Sequence, residues 1–441
     1  MPIPAHLSLA IPDNDLPRIV IVGGGFGGLN LAKSLRKVKA QIVLLDKNNF
    51  HTFQPLLYQV ATAGLEPDSI AGPLRKSFEG NPNYYFRMVK VTGVDSENNE
   101  VVTTIGNLSY DNLVLANGSV TNYFNKKDFR PKVLPLKRIV HALDVRSHIL
   151  QNFEQAVMTQ DKGEFEKMMN IVVVGGGPTG VEVSGALAEL RKHILPKDYP
   201  DLDFSQMKIY LIEGSGRLLN GMSEFAGKEA LNYIRKMGIE VQLNTFVEDY
   251  DGDTVTLNNG TIETATVVWS AGVRGNVVEG LNESSVEKSR ILVDDYNLVK
   301  GTNNVFAIGD VAMMQNEEYP QGHPMVAAVA MQQGWHLAKN FKNRFAGKEM
   351  VPFKYFNKGS MATIGKNKAV VDMPNGMHFK GFFAWLIWMF VHIMYLIGFR
   401  NKLITLNNWI WSYFTYDKGT RLIIRTFNRK FLRRPAGVNK I

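Results

Sequence analysis

The sequence has no cysteine among its 441 residues. This absence excludes disulfide frameworks, thiolate zinc sites, iron–sulfur clusters and every mechanism that uses a thiol nucleophile. Clusters of metal ligands are lacking too, because the nine histidines are scattered and no two of them have helical metal-ligand spacing. We therefore expect no metal site and no thiol chemistry.

The N-terminal end lacks the features of a targeting segment. It has no cationic start, and its short apolar stretch is broken by Pro12. We expect residues 1–16 to form a flexible N-terminus and the chain to start in the cytoplasm.

Acidic residues are scarce at the C-terminal end. Residues 400–441 contain ten lysines and arginines and a single acid, Asp417, so this region accounts for the whole net charge of +9. The rest of the chain is formally neutral. The charge excess therefore indicates a local basic surface, not a generally basic protein.

A glycine-rich turn follows the apolar run RIVIV at residues 18–22. Gly23, Gly25 and Gly28 form the pattern GxGxxG between a predicted strand and a predicted helix, and Asp46 ends the next predicted strand. Such glycines allow a tight turn, close approach of a pyrophosphate and close helix packing, while the acid accepts hydrogen bonds from a ribose. The pattern predicts a dinucleotide site.

The same pattern recurs about 150 residues later. Gly175, Gly177 and Gly180 repeat the glycine spacing, and Glu213 ends the following predicted strand. An acid at that position favours an unphosphorylated ribose, so we expect NADH and not NADPH. Arg217, four residues further on, could weaken this preference.

Glu182 lies two residues after the last glycine of the second turn. It is either a solvated glutamate stabilised by the helix dipole or a carboxylate that faces the nicotinamide half of the bound dinucleotide. The sequence leaves both interpretations open.

Two dinucleotide sites in a chain without thiols are most simply explained by hydride transfer from a nicotinamide to a flavin. Several motifs make the comparison more specific: GGGFGG, FHTFQPLLYQVAT, YDNLVLANGS, GGGPTGVE and VFAIGDVA, which begin at residues 23, 50, 110, 175 and 305. Together they resemble the type II NADH dehydrogenases, which are single-subunit, non-pumping NADH:quinone oxidoreductases. The resemblance implies NADH oxidation by hydride transfer to FAD, and passage of two electrons to a quinone.

The resemblance also implies roles for individual residues. The FAD-binding residues would be Gly23, Gly25, Gly28, Asp46, Ala116, Gly118, Gly309 and Asp310. The NADH-binding residues would be Gly175, Gly177, Gly180, Glu182 and Glu213. Glu182, beside the nicotinamide, and Gln332, which faces the quinone, would be the catalytic residues. Ala328 stands where the family often has a further glutamine, which removes one amide from the quinone side.

The predicted fold class is α/β, with two Rossmann-like dinucleotide-binding domains, the second inserted in the first, and a C-terminal helical membrane-associating region. The expected limits are a flexible N-terminus at 1–16, an FAD-binding domain at 17–165 and 291–375, an NADH-binding domain at 166–290, and the membrane-associating region at 376–441.

Residues 381–399 carry no Lys, Arg, Asp or Glu, and as one helix they would be about 28 Å long, enough to cross a bilayer's hydrocarbon. A spanning helix would place the basic tail and the nucleotide domains on opposite sides of the membrane. The positive-inside tendency keeps the tail on the cytoplasmic side, and the supply of NADH requires the nucleotide domains on that side too. We therefore expect this segment to be buried or to lie partly in the membrane interface, and a spanning helix is left open.

Further along, Ile424, Phe427 and Phe431 recur at helical spacing beside a row of arginines. The pattern predicts an interfacial basic amphipathic helix, although a helix packed on its own domain or on a dimer partner stays open. The expected partners are a membrane quinone and, through residues 400–441, an anionic membrane surface, with no nucleic acid; a homodimer is left open. The expected location is the cytoplasmic face of a bacterial inner membrane, peripheral or monotopic.

Other functions share this architecture. A sulfide:quinone oxidoreductase works through cysteine thiols, which this chain lacks. Two alternative functions need no cysteine and stay open. One is an NADH-dependent reductase of a small electron-transfer protein, and the other is a non-catalytic flavin-binding scaffold that signals its redox state to a partner.

Overall fold

The structure is a computed structural model that describes residues 7–417, 419–424, 426 and 427. The chain divides into two compact units. Unit 1 consists of Met1–Thr52, Gly72–Val120 and Val273–Asn357, and unit 2 consists of Phe53–Ala71, Thr121–Gly272 and Lys358–Ile441.

The α-helices of the described residues are, in chain order, α1 (Phe26–Ser34), α2 (Leu57–Ala61), α3 (Ile139–Met158), α4 (Lys162–Met169), α5 (Pro178–His193), α6 (Leu195–Asp198), α7 (Glu224–Lys236), α8 (Ala327–Phe345), α9 (Gly381–Tyr395) and α10 (Phe399–Thr415).

The strands up to residue 121 are β1 (Arg18–Val22), β2 (Gln41–Asp46), β3 (Phe50–Thr52), β4 (Ala71–Pro73), β5 (Tyr84–Met88), β6 (Val91–Asp95), β7 (Glu100–Thr103), β8 (Gly106–Ser109), β9 (Asn112–Leu115) and β10 (Ser119–Thr121). The later strands are β11 (Leu134–Pro135), β12 (Ile171–Val174), β13 (Ile209–Ile212), β14 (Glu240–Gln242), β15 (Val247–Tyr250), β16 (Thr254–Leu257), β17 (Gly260–Glu263), β18 (Thr266–Trp269), β19 (Val273–Gly275), β20 (Val286–Glu287), β21 (Arg290–Val293), β22 (Val305–Ala307), β23 (Ala312–Met314), β24 (Ser360–Gly365), β25 (Lys368–Asp372) and β26 (His378–Lys380).

Unit 1 is built on a five-stranded parallel sheet with the order β22-β9-β1-β2-β5. Every residue of β1 is buried, as its continuous apolar run predicts for a strand covered on both faces. β22 joins this sheet from far along the chain, so the chain returns to unit 1 as expected.

Unit 2 contains a second five-stranded parallel sheet, with the order β11-β18-β12-β13-β14. The prediction of an α/β fold with two Rossmann-like sheets is therefore confirmed. In the same unit β15 and β16 pair antiparallel. Unit 2 also contains a three-stranded antiparallel sheet, β24-β25-β26, against which α5, α7 and α9 pack.

The uncharged run at residues 381–399 does not form one helix. α9 ends at Tyr395, and Gly398 has a left-handed φ of 85° and directly precedes α10. With 15 residues, α9 is about 22 Å long. Among the described residues no helix combines the length and the apolarity needed to cross a membrane.

The predicted amphipathic helix after residue 420 is wrong for the part that the structure describes. α10 ends at Thr415, and Arg421, Ile424 and Phe427 lie in irregular backbone. Phe431 and the other residues from 428 onward lie outside the described residues.

Candidate functional site

The glycine turn of unit 1 connects β1 to α1. A Cβ at Gly23, whose φ is 107°, would stand 2.4 Å from the carbonyl oxygen of Ala116, and a Cβ at Gly28 would stand 2.0 Å from the carbonyl oxygen of Gly23. Only glycine fits at both positions. A Cβ at Gly25 would meet nothing within 4 Å, and no side chain caps the N-terminus of α1. The first N–H groups of α1 are therefore available to a phosphate.

Asp46 braces this turn from the end of β2. One carboxylate oxygen accepts a hydrogen bond from the Gly24 backbone N–H at 2.7 Å, and the other accepts one from Asn48 at 2.7 Å. Burial raises the pKa of Asp46, and the two backbone hydrogen bonds act in the opposite direction. Each oxygen has a further lone pair with which it can accept a ribose hydroxyl.

The turn of unit 2 repeats this construction. Gly175 has a φ of 106°, and a Cβ at Gly180 would stand 1.8 Å from the Gly175 carbonyl oxygen. Glu213 accepts hydrogen bonds from the backbone N–H groups of Gly176 at 2.5 Å and Ser215 at 2.7 Å. The two turns thus share one arrangement. In each, an acid at the end of the next strand accepts a hydrogen bond from the second of three consecutive glycines, Gly24 or Gly176.

Arg217 is committed to its own loop. Its guanidinium donates to the side-chain oxygen of Asn220 at 3.0 Å and to the carbonyl oxygens of Asn220 and Met222 at 2.8 and 3.0 Å. These contacts engage Nε and Nη2, whereas Nη1 is buried and has no hydrogen-bond partner among the described residues.

The other residues predicted to bind FAD also lie in unit 1. Ala116 is buried beside Gly23, Gly118 has a φ of 69°, and Asp310 accepts a hydrogen bond from the Ser119 hydroxyl at 2.5 Å. Gly309, with a φ of 73°, donates its N–H to the side chain of Gln333 at 2.7 Å. Gln333 is 2% exposed and was missed by the sequence analysis, which had assigned a role to its neighbour.

Gln332 makes a different set of contacts. Its amide nitrogen donates to the Phe356 carbonyl at 2.9 Å, and its amide oxygen accepts from the Phe356 N–H at 3.0 Å. Both ends of the amide are therefore engaged with backbone. Gln332 is not among the residues that line the cavity described next.

A cavity in unit 2 lies beside Glu182. Five parts of unit 2 contribute to its wall: the segment that includes α2, then α5, β24 with the loop after it, α9 and α10. The lining residues used below are Tyr58, Gln59, Glu182, Glu189, Lys366, Trp388, Trp409, Tyr413 and Tyr416. Six of the nineteen lining residues are aromatic, so the cavity suits a flat apolar ring.

Glu182 is the fifth residue of α5 and is 8% exposed, so it is not a solvated surface glutamate. Burial raises its pKa to about 8, although the backbone of Thr363 and the side chain of Trp388 favour the ionised form. At neutral pH the group therefore carries a proton. A protonated carboxyl in an apolar wall can donate a hydrogen bond or a proton to a bound molecule.

Lys366 also lines this cavity, and no motif in the sequence pointed to it. Its Nζ donates to the Tyr413 carbonyl at 2.5 Å and lies 4.2 and 3.9 Å from the ring centres of Tyr413 and Tyr416. Its backbone N–H donates to Glu189 at 2.5 Å. Lys402, at the start of α10, donates from its Nζ to the Met394 carbonyl near the end of α9.

Comparison with known proteins gives the class first. Residues 17–334 match the pyridine nucleotide-disulphide oxidoreductase family, which is the class that the two glycine turns and sheets define. Residues 357–415 match the NDH2 C-terminal domain, which contains α9 and α10.

The chain belongs, within that class, to the type II NADH:quinone oxidoreductases, a family of enzymes. It is 37% identical over 422 residues to such an enzyme from Mycobacterium tuberculosis, with 91% of this chain and 89% of the relative covered. A Staphylococcus aureus relative is 28% identical, with 81% and 89% covered. The solved structure of NDH2 from Plasmodium falciparum in complex with NADH has the same fold, with a TM-score of 0.84, 22% identity, and 93% and 100% covered. The resemblance inferred from the motifs is confirmed.

Proposed function

We propose that the protein oxidises NADH and passes two electrons to a quinone, without pumping protons, through FAD held in unit 1. The observation that carries the proposal is the pair of matched turns, in which Asp46 and Glu213 bind Gly24 and Gly176 in the same way. Family membership supports the choice of substrates. It does not favour the reductase of a small electron-transfer protein or the signalling scaffold.

The turn of unit 1 fits the ADP half of FAD. Gly25 leaves space at the uncapped N-terminus of α1, where the pyrophosphate would receive backbone hydrogen bonds, and Asp46 would hold the ribose. The remaining FAD contacts are assigned to Gly23, Gly28, Ala116, Gly118, Gly309 and Asp310. FAD, when bound, supplies the two-electron chemistry that no side chain of this chain provides.

NADH is assigned to Gly175, Gly177, Gly180, Glu182 and Glu213. Glu213 would accept the ribose hydroxyls, and a 2′-phosphate would meet its charge. The quinone head group is assigned to the cavity of unit 2, where Glu182 holds a proton at its carboxyl group at neutral pH. Gln332, which the family resemblance assigns to the quinone side, does not line this cavity, so its role remains a proposal that the cavity does not support.

The C-terminal region is assigned to the membrane surface, on the cytoplasmic face of a bacterial inner membrane. α9 buries Ala384, Trp388 and His392, and exposes Phe383 and Phe390 by 72% and 67%. An apolar face of this kind suits the interfacial zone, and the basic residues from 400 to 441 suit anionic lipid. The domain limits given above, and a homodimer, remain proposals.

Stopped-flow absorbance tests the function directly. NADH should bleach the flavin of the purified holoenzyme, and menadione should restore its absorbance. A flavin that NADH cannot reduce would contradict the proposal, and a flavin that NADH reduces but menadione does not reoxidise would favour a protein acceptor.

A further inference from the structure

A chain of hydrogen bonds runs along one wall of the cavity in unit 2. The indole Nε1 of Trp409 donates to the amide oxygen of Gln59 at 2.7 Å, and the amide nitrogen of Gln59 donates to the hydroxyl of Tyr58 at 2.9 Å. The chain links α10 to α2, and all three residues line the cavity.

The donors and acceptors of these two hydrogen bonds follow from the chemistry of the side chains. An indole N–H can only donate, so the amide oxygen of Gln59 must face Trp409, and the amide nitrogen must face Tyr58. The Tyr58 hydroxyl therefore accepts the bond, and its own proton is left over. Among the described residues none accepts that proton.

The hydroxyl stays protonated because Tyr58 is 6% exposed, and burial together with the nearby Glu182 raises its pKa well above the ordinary value. Trp388, 2% exposed and 6.5 Å from Tyr58 between ring centres, adds a second donor. Its indole N–H makes no hydrogen bond of full geometry within the described part of the chain, although it lies close enough to the Glu182 carboxyl to favour the ionised form of that group. Buried donors without acceptors are costly unless a bound molecule satisfies them.

We propose that Tyr58 donates a hydrogen bond to a carbonyl oxygen of the quinone, and that Gln59 and Trp409 are positioning residues which fix the direction of that bond. This rests on the proposed function, because it takes the quinone as the occupant of the cavity. A quinone carbonyl is an acceptor without a proton, which is the partner that the Tyr58 hydroxyl lacks.

The test compares Tyr58→Phe with wild-type holoenzyme, using menadione and ferricyanide as acceptors. Loss of one hydrogen bond should raise the KM for menadione about tenfold. The rate of flavin reduction by NADH and the ferricyanide rate should not change, since neither needs a carbonyl contact. Tyr110→Phe is the matched control, because Tyr110 is 5% exposed in unit 1 and its hydroxyl has no partner among the described residues.

Two further variants test the direction of the bond. Gln59→Glu replaces the amide that donates to Tyr58 with a carboxylate that accepts the proton of the Tyr58 hydroxyl. The KM of this variant for menadione should therefore rise as far as that of Tyr58→Phe. Trp409→Phe lets the amide rotate and should raise the KM about threefold, but only while Tyr58 is present. If Tyr58→Phe loses its flavin, these two variants carry the test.

An unchanged KM for menadione in Tyr58→Phe would overturn the assignment and leave the proposed function intact. So would a double variant in which Trp409→Phe still raises the KM threefold although Tyr58 is already phenylalanine. A wild-type enzyme that reduces ferricyanide but no quinone would overturn both.

Discussion

Gly185 lies directly against the backbone of Ile364, so that a Cβ at Gly185 would stand 1.7 Å from the Ile364 carbonyl oxygen. This contact joins α5 to β24 within unit 2. It also places Glu182, one turn earlier on α5, beside the backbone of Thr363. The close contact at Gly185, a residue without a side chain, therefore positions Glu182 in the wall of the cavity.

Gly185→Ala should separate α5 from β24, because neither backbone can yield without moving its whole element. We expect a loss of about 1–3 kcal/mol in the free energy of unfolding. The KM for menadione should rise, since Glu182 moves with the helix. Chemical denaturation and steady-state kinetics measure the two effects.

Gly221→Ala is the control for Gly185→Ala. A Cβ there would meet nothing within 4 Å, and Gly221 takes no part in either turn. Its stability should stay within about 0.5 kcal/mol of wild type. Equal losses in the two variants would show that the close contact does not matter.

Glu182→Gln should change how stability depends on pH. Burial raises the pKa of Glu182 from the ordinary value of 4.5, which applies to the unfolded chain, to about 8 in the folded protein. Between these two values the folded state therefore holds a proton that the unfolded state releases. The wild-type free energy of unfolding therefore falls as the pH rises towards 8, by up to about 1.4 kcal/mol per pH unit.

The window from pH 6.5 to 8 isolates Glu182. Burial lowers the pKa of His51 and of His392 to about 4, so these histidines affect the pH dependence only below about 6.5. The midpoint of thermal unfolding of Glu182→Gln should rise relative to wild type across this window. Parallel curves for the two proteins would mean that Glu182 is ionised at neutral pH.

Glu213→Gln should reduce the preference for NADH over NADPH. The substitution removes the charge that repels a 2′-phosphate and weakens the bond to the ribose, so the ratio of kcat/KM for NADH to that for NADPH should fall by about tenfold or more. Glu240→Gln makes the same change on the exposed first residue of β14, next to β13, and should leave the ratio unaltered. An unchanged ratio in Glu213→Gln would remove Glu213 from the ribose site.

The two glycine turns could be predicted from sequence because each is local. A strand, three glycines, a helix and an acid at the end of the next strand specify the geometry of Gly23 and Asp46 without any distant residue. The cavity could not be predicted in this way. Tyr58, Glu182, Lys366 and Trp409 come from four segments, and only the packing of α5 on β24 and of α10 beside α2 brings them to one wall.

The C-terminal region shows where pattern reading fails. The run at 381–399 has no charge to mark a boundary, yet the left-handed backbone of Gly398 divides it into two helices. The spacing of Arg421 and Phe427 suggests a helix, but Phe427 donates its N–H to Gln151 at 2.8 Å instead of to a helical carbonyl. A local glycine conformation therefore ends the first helix, and a tertiary contact outweighs the helical pattern at Phe427.

The exposed face of α9 should carry the apolar part of membrane binding. Replacing Phe383 and Phe390 together with serine removes two rings that are 72% and 67% exposed, and should lower binding to phosphatidylglycerol vesicles at high salt. Met158→Ser, at an equally exposed position of α3, should bind like wild type. Sedimentation with vesicles measures the bound fraction, and undiminished binding of the double variant would exclude this face.

Removal of residues 428–441 should affect the electrostatic part alone. The segment contributes five lysines and arginines and no acid. α10 lies before it and keeps its contacts, including those of Asn408 with Glu66 at 2.9 Å and of Trp409 with Gln59. The truncated protein should therefore retain menadione reduction. Its binding to phosphatidylglycerol vesicles at low salt should fall towards the fraction that stays bound at high salt, and that salt-resistant fraction should not change. Loss of that resistant fraction, with the rings of α9 still present, would show that the tail itself is the anchor.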